Sequence, residues 1–362
     1  MATQKLMEKF RETVAEKVAE VFGARARLAG LDALAGDASS RRYFRATIAA
    51  PGGPSSVIVM SWSDSGLPIS SEELAVFDKP PEELPFLNVH RFLKAVGVRV
   101  PALHGHWVER GLMFLEDLGD VCLWDRVREA PEAEVIRWYQ KAIAELLMLQ
   151  IGGNRARNDQ CMAFRQTFDE RLYLWEFAHF IEYGLEAGDE GSLPATERRL
   201  LDGAFGGIAG RLSRQPRVFN HRDYHSWNLM VHDDAVVVID FQDALLAPAQ
   251  YDLASLLNDR ETDQVVTPAV EDRLLDYYLN RLDEWGEARP VRDEFRETYL
   301  LSALQRDFKV VGRFRYLDLV KGKPGYKRYI APTLRRIGRN LRRAPGLEHL
   351  VPVLAAHFEE IS

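Results

Sequence analysis

Apolar positions change their period several times along the first third of the chain. Leu6, Phe10, Val14, Val18, Val21 and Phe22 recur at helical spacing, and Gly23 can close the helix they predict. The stretch "LAGDASSRRYFRATIAAPGGPSSVIVMSW" then reads as strand, turn, strand, turn, strand. Its runs "RYFRATI" and "SVIVMSW" are rich in β-branched and aromatic residues, and "APGGPSS" is a hairpin connection. "PFLNVHRFLKAVGV" predicts an amphipathic helix ended by Gly97, and "VPALHGHWVERGLMFLEDLGD" predicts two short strands around a turn at Glu109–Gly111. From Leu123 onward the helical period dominates. "PEAEVIRWYQKAIAELLMLQ" starts a long helix at Pro131, "FRQTFDERLYLWEFAHFIEYGLE" a second, and "ERRLLDGAFGGIAGRL" a third despite its glycines. The pattern predicts an α+β chain of two lobes: a small mixed β-sheet lobe at 1–115 and a mostly helical lobe at 116–362. A crevice between such lobes is a natural place for a ligand.

Composition sets limits on this picture. The 362 residues are 46% apolar and 28% charged, as in ordinary globular chains. A net charge of −7 argues against an unspecific nucleic-acid binder. No apolar run approaches the roughly 18 residues of a membrane span, and the charged N-terminus lacks the apolar core of a signal peptide. The expectation is a cytoplasmic protein without nucleic-acid or membrane partners. Cys122 and Cys161 have no metal-ligand spacing around them and read as buried thiols.

Two segments in the second half carry chemistry. "FNHRDYHSWNLMV" (Phe219–Val231) places Asp223 on a loop after a strand, with Asn228 five residues on. "VVVIDFQDA" (Val236–Ala244) is an apolar strand that ends at Asp240. A loop carboxylate can orient a hydroxyl and accept its proton. An amide oxygen and a strand-end carboxylate suit Mg²⁺, which takes oxygen ligands and seldom an all-protein cage. The set matches phosphoryl transfer, with Asp223 for the acceptor and Asn228 and Asp240 for the metal.

These segments, "HRDYHSWN" with "VIDFQDALLAPAQYDLASLL", resemble the aminoglycoside phosphotransferase superfamily, small-molecule kinases of protein-kinase-like fold. "GDASSRRYFRA", "FLEDLGD", "FDERLYLWEFAHFIEYGL" and "LQRDFKVVGRFRYL" resemble one branch, the bacterial anomeric kinases of N-acetylmuramate and N-acetylglucosamine. The resemblance implies ATP and Mg²⁺ as cofactors and a small sugar as acceptor. It makes Asp223 catalytic, His221 a structural member of its loop, and Asn228 and Asp240 metal ligands. It places the interlobe hinge near Glu116 and replaces a glycine-rich phosphate loop by "GDASS", where Ser39 would meet the nucleotide. The lysine usual on the third strand is missing: Met60 stands there. Arg41 is the candidate replacement, on the same strand face as Tyr43, the expected adenine neighbour. A solvated strand face is the equal alternative for that arginine cluster. His225, Gln242, Asp243, Glu176, His179, Gln305 and Arg306 are possible acceptor-side residues, each equally readable as packing. Asp252 reads as a cap or a brace for the catalytic loop, and Leu334–Arg343 as a solvated basic helix face. The alternatives are a phosphotransferase for an aminoglycoside, choline or another sugar, and a nucleotide-binding pseudokinase, which the missing lysine alone supports.

Overall fold

The computed structural model describes residues 2–34, 41–62, 83–187 and 192–362. Ser39 and the rest of "GDASS" lie outside these, as does Glu82. The chain divides into two compact units, 1–84 with 100–120, and 85–99 with 121–362.

The first unit is built on one antiparallel sheet of order β1-β2-β3-β5-β4. Its strands are β1 (Arg27–Ala33), β2 (Arg42–Ala49), β3 (Ser56–Ser61), β4 (Leu103–Trp107) and β5 (Leu112–Glu116). Strand alternation gives the sheet an apolar face, on which Phe44, Ala46 and Ile48 are buried, while Thr47 and Ala49 on the opposite face are exposed. Helix α1 (Ala2–Phe22) covers that face with Val14 and Val18, and Gly23 follows it at φ 95° as expected. The register sets Tyr43 opposite Met60. Gly111, at φ 58°, closes the β4–β5 connection; a Cβ there would stand 2.2 Å from the Trp62 carbonyl oxygen, so only glycine fits.

The second unit begins with α2 (Pro85–Val96), a helix the hydrophobic pattern alone groups with the sheet. It packs through Phe86 on Phe241 and through Phe92 on Phe164 and Phe219, rings that belong to the unit carrying the catalytic loop. Helices α3 (Glu132–Leu147), α4 (Glu170–His179) and α5 (Ala195–Ser213) follow. The second of these starts later than the periodicity suggests, because Asp169 caps it by accepting the Leu172 N–H at 2.8 Å. It runs on into a wider π-type turn at Phe180–Glu186. Strands β6 (Arg217–Asn220) and β9 (Leu245–Pro248) pair with each other, and β7 (Leu229–His232) and β8 (Ala235–Val238) form a hairpin. Asp233 and Asp234, at φ 49° and 56°, make its tight two-residue turn. The chain finishes with α6 (Ala249–Leu257), α7 (Pro268–Glu284), the 28-residue α8 (Arg292–Leu319), α9 (Ile330–Arg343) and α10 (Leu350–Ala355). Cys122 and Cys161 are buried free thiols, as expected. Among the described residues no helix is long and apolar enough to cross a membrane.

The basic run on α9 differs from the solvated face expected of it. Leu334, Ile337 and Leu341 are buried, and so is Arg336, at 1% exposure. Its guanidinium meets the equally buried Asp307 of α8 in a forked pair at 2.7–3.1 Å. A carboxylate from a distant helix satisfies that arginine, and local sequence carries no sign of it.

Candidate active site

The hairpin register explains why Asn228 and Asp240 meet. Leu229 pairs with Val238, so the next step along the ladder sets Asn228 beside Ile239. The Ile239 N–H donates to the Asn228 carbonyl at 3.0 Å, which puts Asp240 at the open end of the hairpin. Asp240 adopts φ 62°, a left-handed conformation that Asp tolerates better than most residues, and its side chain is exposed. The Asn228 Nδ2 donates to the Asp223 carbonyl oxygen at 3.1 Å. With the nitrogen so used, the amide oxygen is the atom of Asn228 that can serve as a ligand. Gln242 Nε2 donates to Asp240 Oδ1 at 3.0 Å and reaches Asp243 Oδ2 at 3.3 Å. Asp243 Oδ1 is buried with no hydrogen-bond partner among the described residues.

These groups fit Mg²⁺. The set is all hard oxygen, and one carboxylate oxygen, Asp243 Oδ1, is left short of a partner among the described residues. A magnesium ion here would complete its shell with water and phosphate oxygens.

The loop that presents Asp223 is held from below. Asp252 near the start of α6 is fully buried and accepts the His221 N–H at 2.5 Å and the Arg222 N–H at 3.0 Å. It is a brace for the loop, one of the two roles its sequence allowed. His221 accepts the Asp223 N–H on Nδ1 at 3.3 Å, which leaves Nε2 to donate to the Ile239 carbonyl at 2.8 Å. His221 therefore ties the loop to the strand end that carries Asp240, the structural role the resemblance implied. Arg222 sits at φ 80°, a strained conformation for a non-glycine residue, and its side chain is buried. The guanidinium meets buried Glu176 of α4 at 3.3 Å, which anchors the strained residue.

Asp223 itself remains 35% exposed, so its carboxylate can reach a ligand. Arg306 of α8 approaches Asp223 Oδ1 at 3.4 Å and donates to the Arg222 carbonyl at 2.6 Å. Lys309, one turn on, lies 3.7 Å from Asp223 Oδ1 and 3.5 Å from Glu176 Oε1. Burial alone would raise the Asp223 pKa, but the cations of Lys309, Arg306 and Arg222 outweigh it and hold the carboxyl well below the usual range. Gln305 donates to Glu176 Oε2 at 2.7 Å. His225 is driven down to about 4 by burial and stays neutral; its Nδ1 has no partner among the described residues.

Gly312 permits this meeting of α4 and α8. A Cβ on it would stand 2.8 Å from the Phe180 Cα, so the α8 backbone comes against the end of the helix that carries Glu176.

In the first unit, Arg41 is 8% exposed, so it does not lie on a solvated strand face. The Glu116 N–H is taken by the Ala102 carbonyl at 2.8 Å, and Glu116 Oε2 accepts the Ala102 N–H at 2.9 Å. Arg45 instead holds the segment after β5, with Asp117 at 2.7 Å and 3.0 Å and Asp120 at 2.8 Å and 3.2 Å. Sequence reasoning named Glu176, Gln305 and Arg306 but passed over Arg45, the Arg222 side chain and Lys309. For Lys309 a signal existed: in "LQRDFK" residues 305, 306 and 309 share one helix face.

Comparison with known proteins agrees with this geometry. The model of the phosphotransferase enzyme family matches residues 30–291. The chain is 29% identical over 324 residues to an N-acetylmuramate/N-acetylglucosamine kinase of Pseudomonas aeruginosa, covering 88% of this chain and 86% of the relative. It is 31% identical over 333 residues to a kinase of the same name from Neisseria meningitidis serogroup B, covering 88% of each. In fold it is similar to choline kinase LicA from Streptococcus pneumoniae, with a TM-score of 0.59 at 15% identity over 92% of this chain and 99% of that one. The fold is thus protein-kinase-like, and the chain belongs to the phosphotransferase enzyme family.

Proposed function

We propose that this protein is an ATP-dependent kinase of an N-acetylated amino sugar, N-acetylmuramate or N-acetylglucosamine. In this reading it phosphorylates the anomeric (C1) hydroxyl and releases a sugar 1-phosphate, a product suited to recovery of cell-wall sugars by peptidoglycan recycling in the cytoplasm. The observation that carries the reading is the accessible Asp223 carboxylate, held beside Asn228 while the hairpin register brings Asp240 to the same end. The name shared by the two bacterial relatives supports the acceptor class.

Asp223 orients the acceptor hydroxyl and receives its proton. A carboxylate kept well below the usual range is a weak base. That is sufficient for an anomeric hydroxyl, which is more acidic than an ordinary alcohol, and for a loose phosphoryl-transfer transition state that asks little of a base. Asn228 and Asp240 would hold magnesium, with Gln242 fixing Asp240. The ion, when bound, offsets charge on the β- and γ-phosphates as the phosphoryl group moves. Tyr43, Arg41, Ser39 and the backbone near Glu116 are the proposed nucleotide contacts. Arg306 and Lys309 beside Asp223 disfavour a cationic acceptor, which separates this site from one built for choline or an aminoglycoside.

An acceptor panel tests the reading. ATP consumption with Mg²⁺ is expected for N-acetylmuramate and N-acetylglucosamine, and not for choline or kanamycin. Turnover of the cationic acceptors alone would assign another substrate, and nucleotide binding without turnover of any acceptor would assign a pseudokinase. Asp240→Ala is expected to weaken Mg²⁺-dependent ATP binding measured by calorimetry; unchanged affinity would remove Asp240 from the metal site.

A further inference from the structure

The catalytic loop "HRDYHSWN" supplies no cation after Asp223, and β3 carries Met60 in place of a lysine. A transferring phosphoryl group nevertheless needs positive charge aimed at its oxygens. Helix α8 carries the nearest candidate in this unit. Lys309 Nζ stands 3.7 Å from Asp223 Oδ1 and 3.5 Å from Glu176 Oε1. An ammonium has three donors, and among the described residues these two ion-pair contacts, with no hydrogen bond, are all that it makes. The side chain is 10% exposed, so its head is confined next to the accessible carboxylate.

Glu176 does not explain the lysine. Its Oε1 faces Arg222 at 3.3 Å and its Oε2 accepts from Gln305 at 2.7 Å, so a full positive charge and an amide already serve it. Arg306 is engaged as well, donating to the Arg222 carbonyl at 2.6 Å. Lys309 is thus a buried cation that makes no hydrogen bond among the described residues and stands 3.7 Å from the carboxylate that would hold the acceptor hydroxyl.

We infer that Lys309 is a catalytic cation supplied by α8, whose ammonium binds an oxygen of the transferring γ-phosphoryl group while Asp223 holds the acceptor hydroxyl. The inference rests on the role proposed above for Asp223. In the step, the acceptor oxygen bonds to the γ-phosphorus as the bond from that phosphorus to the β–γ bridging oxygen breaks. ADP keeps the electron pair, the acceptor proton passes to Asp223, and Lys309 stays protonated throughout. The ammonium strengthens its hold as charge gathers on the phosphoryl oxygens, so its effect falls on kcat.

Five variants, Glu176→Gln alone among them, each compared by steady-state kinetics, calorimetric Mg²⁺–ATP affinity and thermal midpoint, test it. Lys309→Met is expected to lower kcat by about 10²–10³-fold with acceptor KM and Mg²⁺–ATP Kd near wild type. Lys309→Arg is expected to recover part of the loss. Lys309→Met combined with Glu176→Gln removes the buried acid as well. If Lys309 merely neutralises Glu176, the pair regains the activity of Glu176→Gln alone, and the inference is overturned. If it acts on the phosphoryl group, the folded double variant stays as slow as Lys309→Met. Should Lys309→Met fail to fold, the double variant is compared with Glu176→Gln alone: equal kcat overturns the inference, and a kcat lower by about 10²-fold or more supports it. Near-wild-type kcat in Lys309→Met overturns the inference while Asp223→Asn is inactive; an active Asp223→Asn would instead remove the reading beneath it.

Discussion

At the scale of single residues, the site is a balance of charge around one carboxylate. Asp223 lies among Lys309, Arg306 and Arg222, and their field exceeds the effect of burial. Its ionised form is therefore favoured, and the sign of the consequence is fixed. On acidification Asp223 keeps its charge to a pH below the ordinary carboxylate value of about 4. The acid limb of kcat/KM assigned to it should lie below that value. Lys309→Gln removes the largest opposing cation, so the residual activity of that variant should show its acid limb at higher pH than wild type. A limb that does not move would mean that Lys309 does not set the charge of Asp223. Asp223→Asn keeps the shape and removes the proton acceptor. It should lower transfer by about 10²–10⁴-fold while Mg²⁺–ATP still binds, as calorimetry would report.

At the scale of elements, α8 is the organiser. It presents Gln305, Arg306 and Lys309 on one face, Asp307 on another, and comes close to the end of α4 through Gly312. Gly312→Leu would force the two backbones apart and part Lys309 from Glu176. The expected result is a folded but slower enzyme, or a lowered midpoint, seen by calorimetric unfolding together with kcat; no change in either would show that the contact is dispensable. The Asp307–Arg336 pair makes a separate case, with both side chains 1% exposed. Arg336→Met leaves a buried carboxylate alone and should cost about 3–5 kcal/mol in denaturant unfolding. Adding Asp307→Leu should restore most of that, since two apolar groups leave no charge to desolvate. The elements themselves were largely legible in sequence. Strand alternation announced β2 and β3, and Pro131 and Gly97 marked helix ends near where they occur. What escaped were the π-type turn after α4 and two features set by distant partners: the burial of Arg336 and the place of Lys309 beside Asp223. Periodicity reports which face of a helix is apolar. It does not report which buried polar group a distant helix will satisfy.

At the scale of the whole molecule, a chain with a net charge of −7 sets three cations, Arg222, Arg306 and Lys309, around one carboxylate and ties two of them to the buried Glu176. The three oxygen-bearing residues Asp223, Asn228 and Asp240 were legible because the strand-loop-strand pattern around them is local in sequence. Asp252 as a brace and His221 as a loop member were already readable, but the atoms they hold across 31 residues, and the bond from Gln242 to Asp240, needed coordinates. The most direct test of the account is the ³¹P NMR spectrum of the product formed from ATP, Mg²⁺ and N-acetylglucosamine. The account predicts a sugar phosphate whose phosphorus couples to the anomeric proton, formed by the wild type and not by Asp223→Asn. A phosphate on any other hydroxyl, or the same product formed by Asp223→Asn at an undiminished rate, would contradict it.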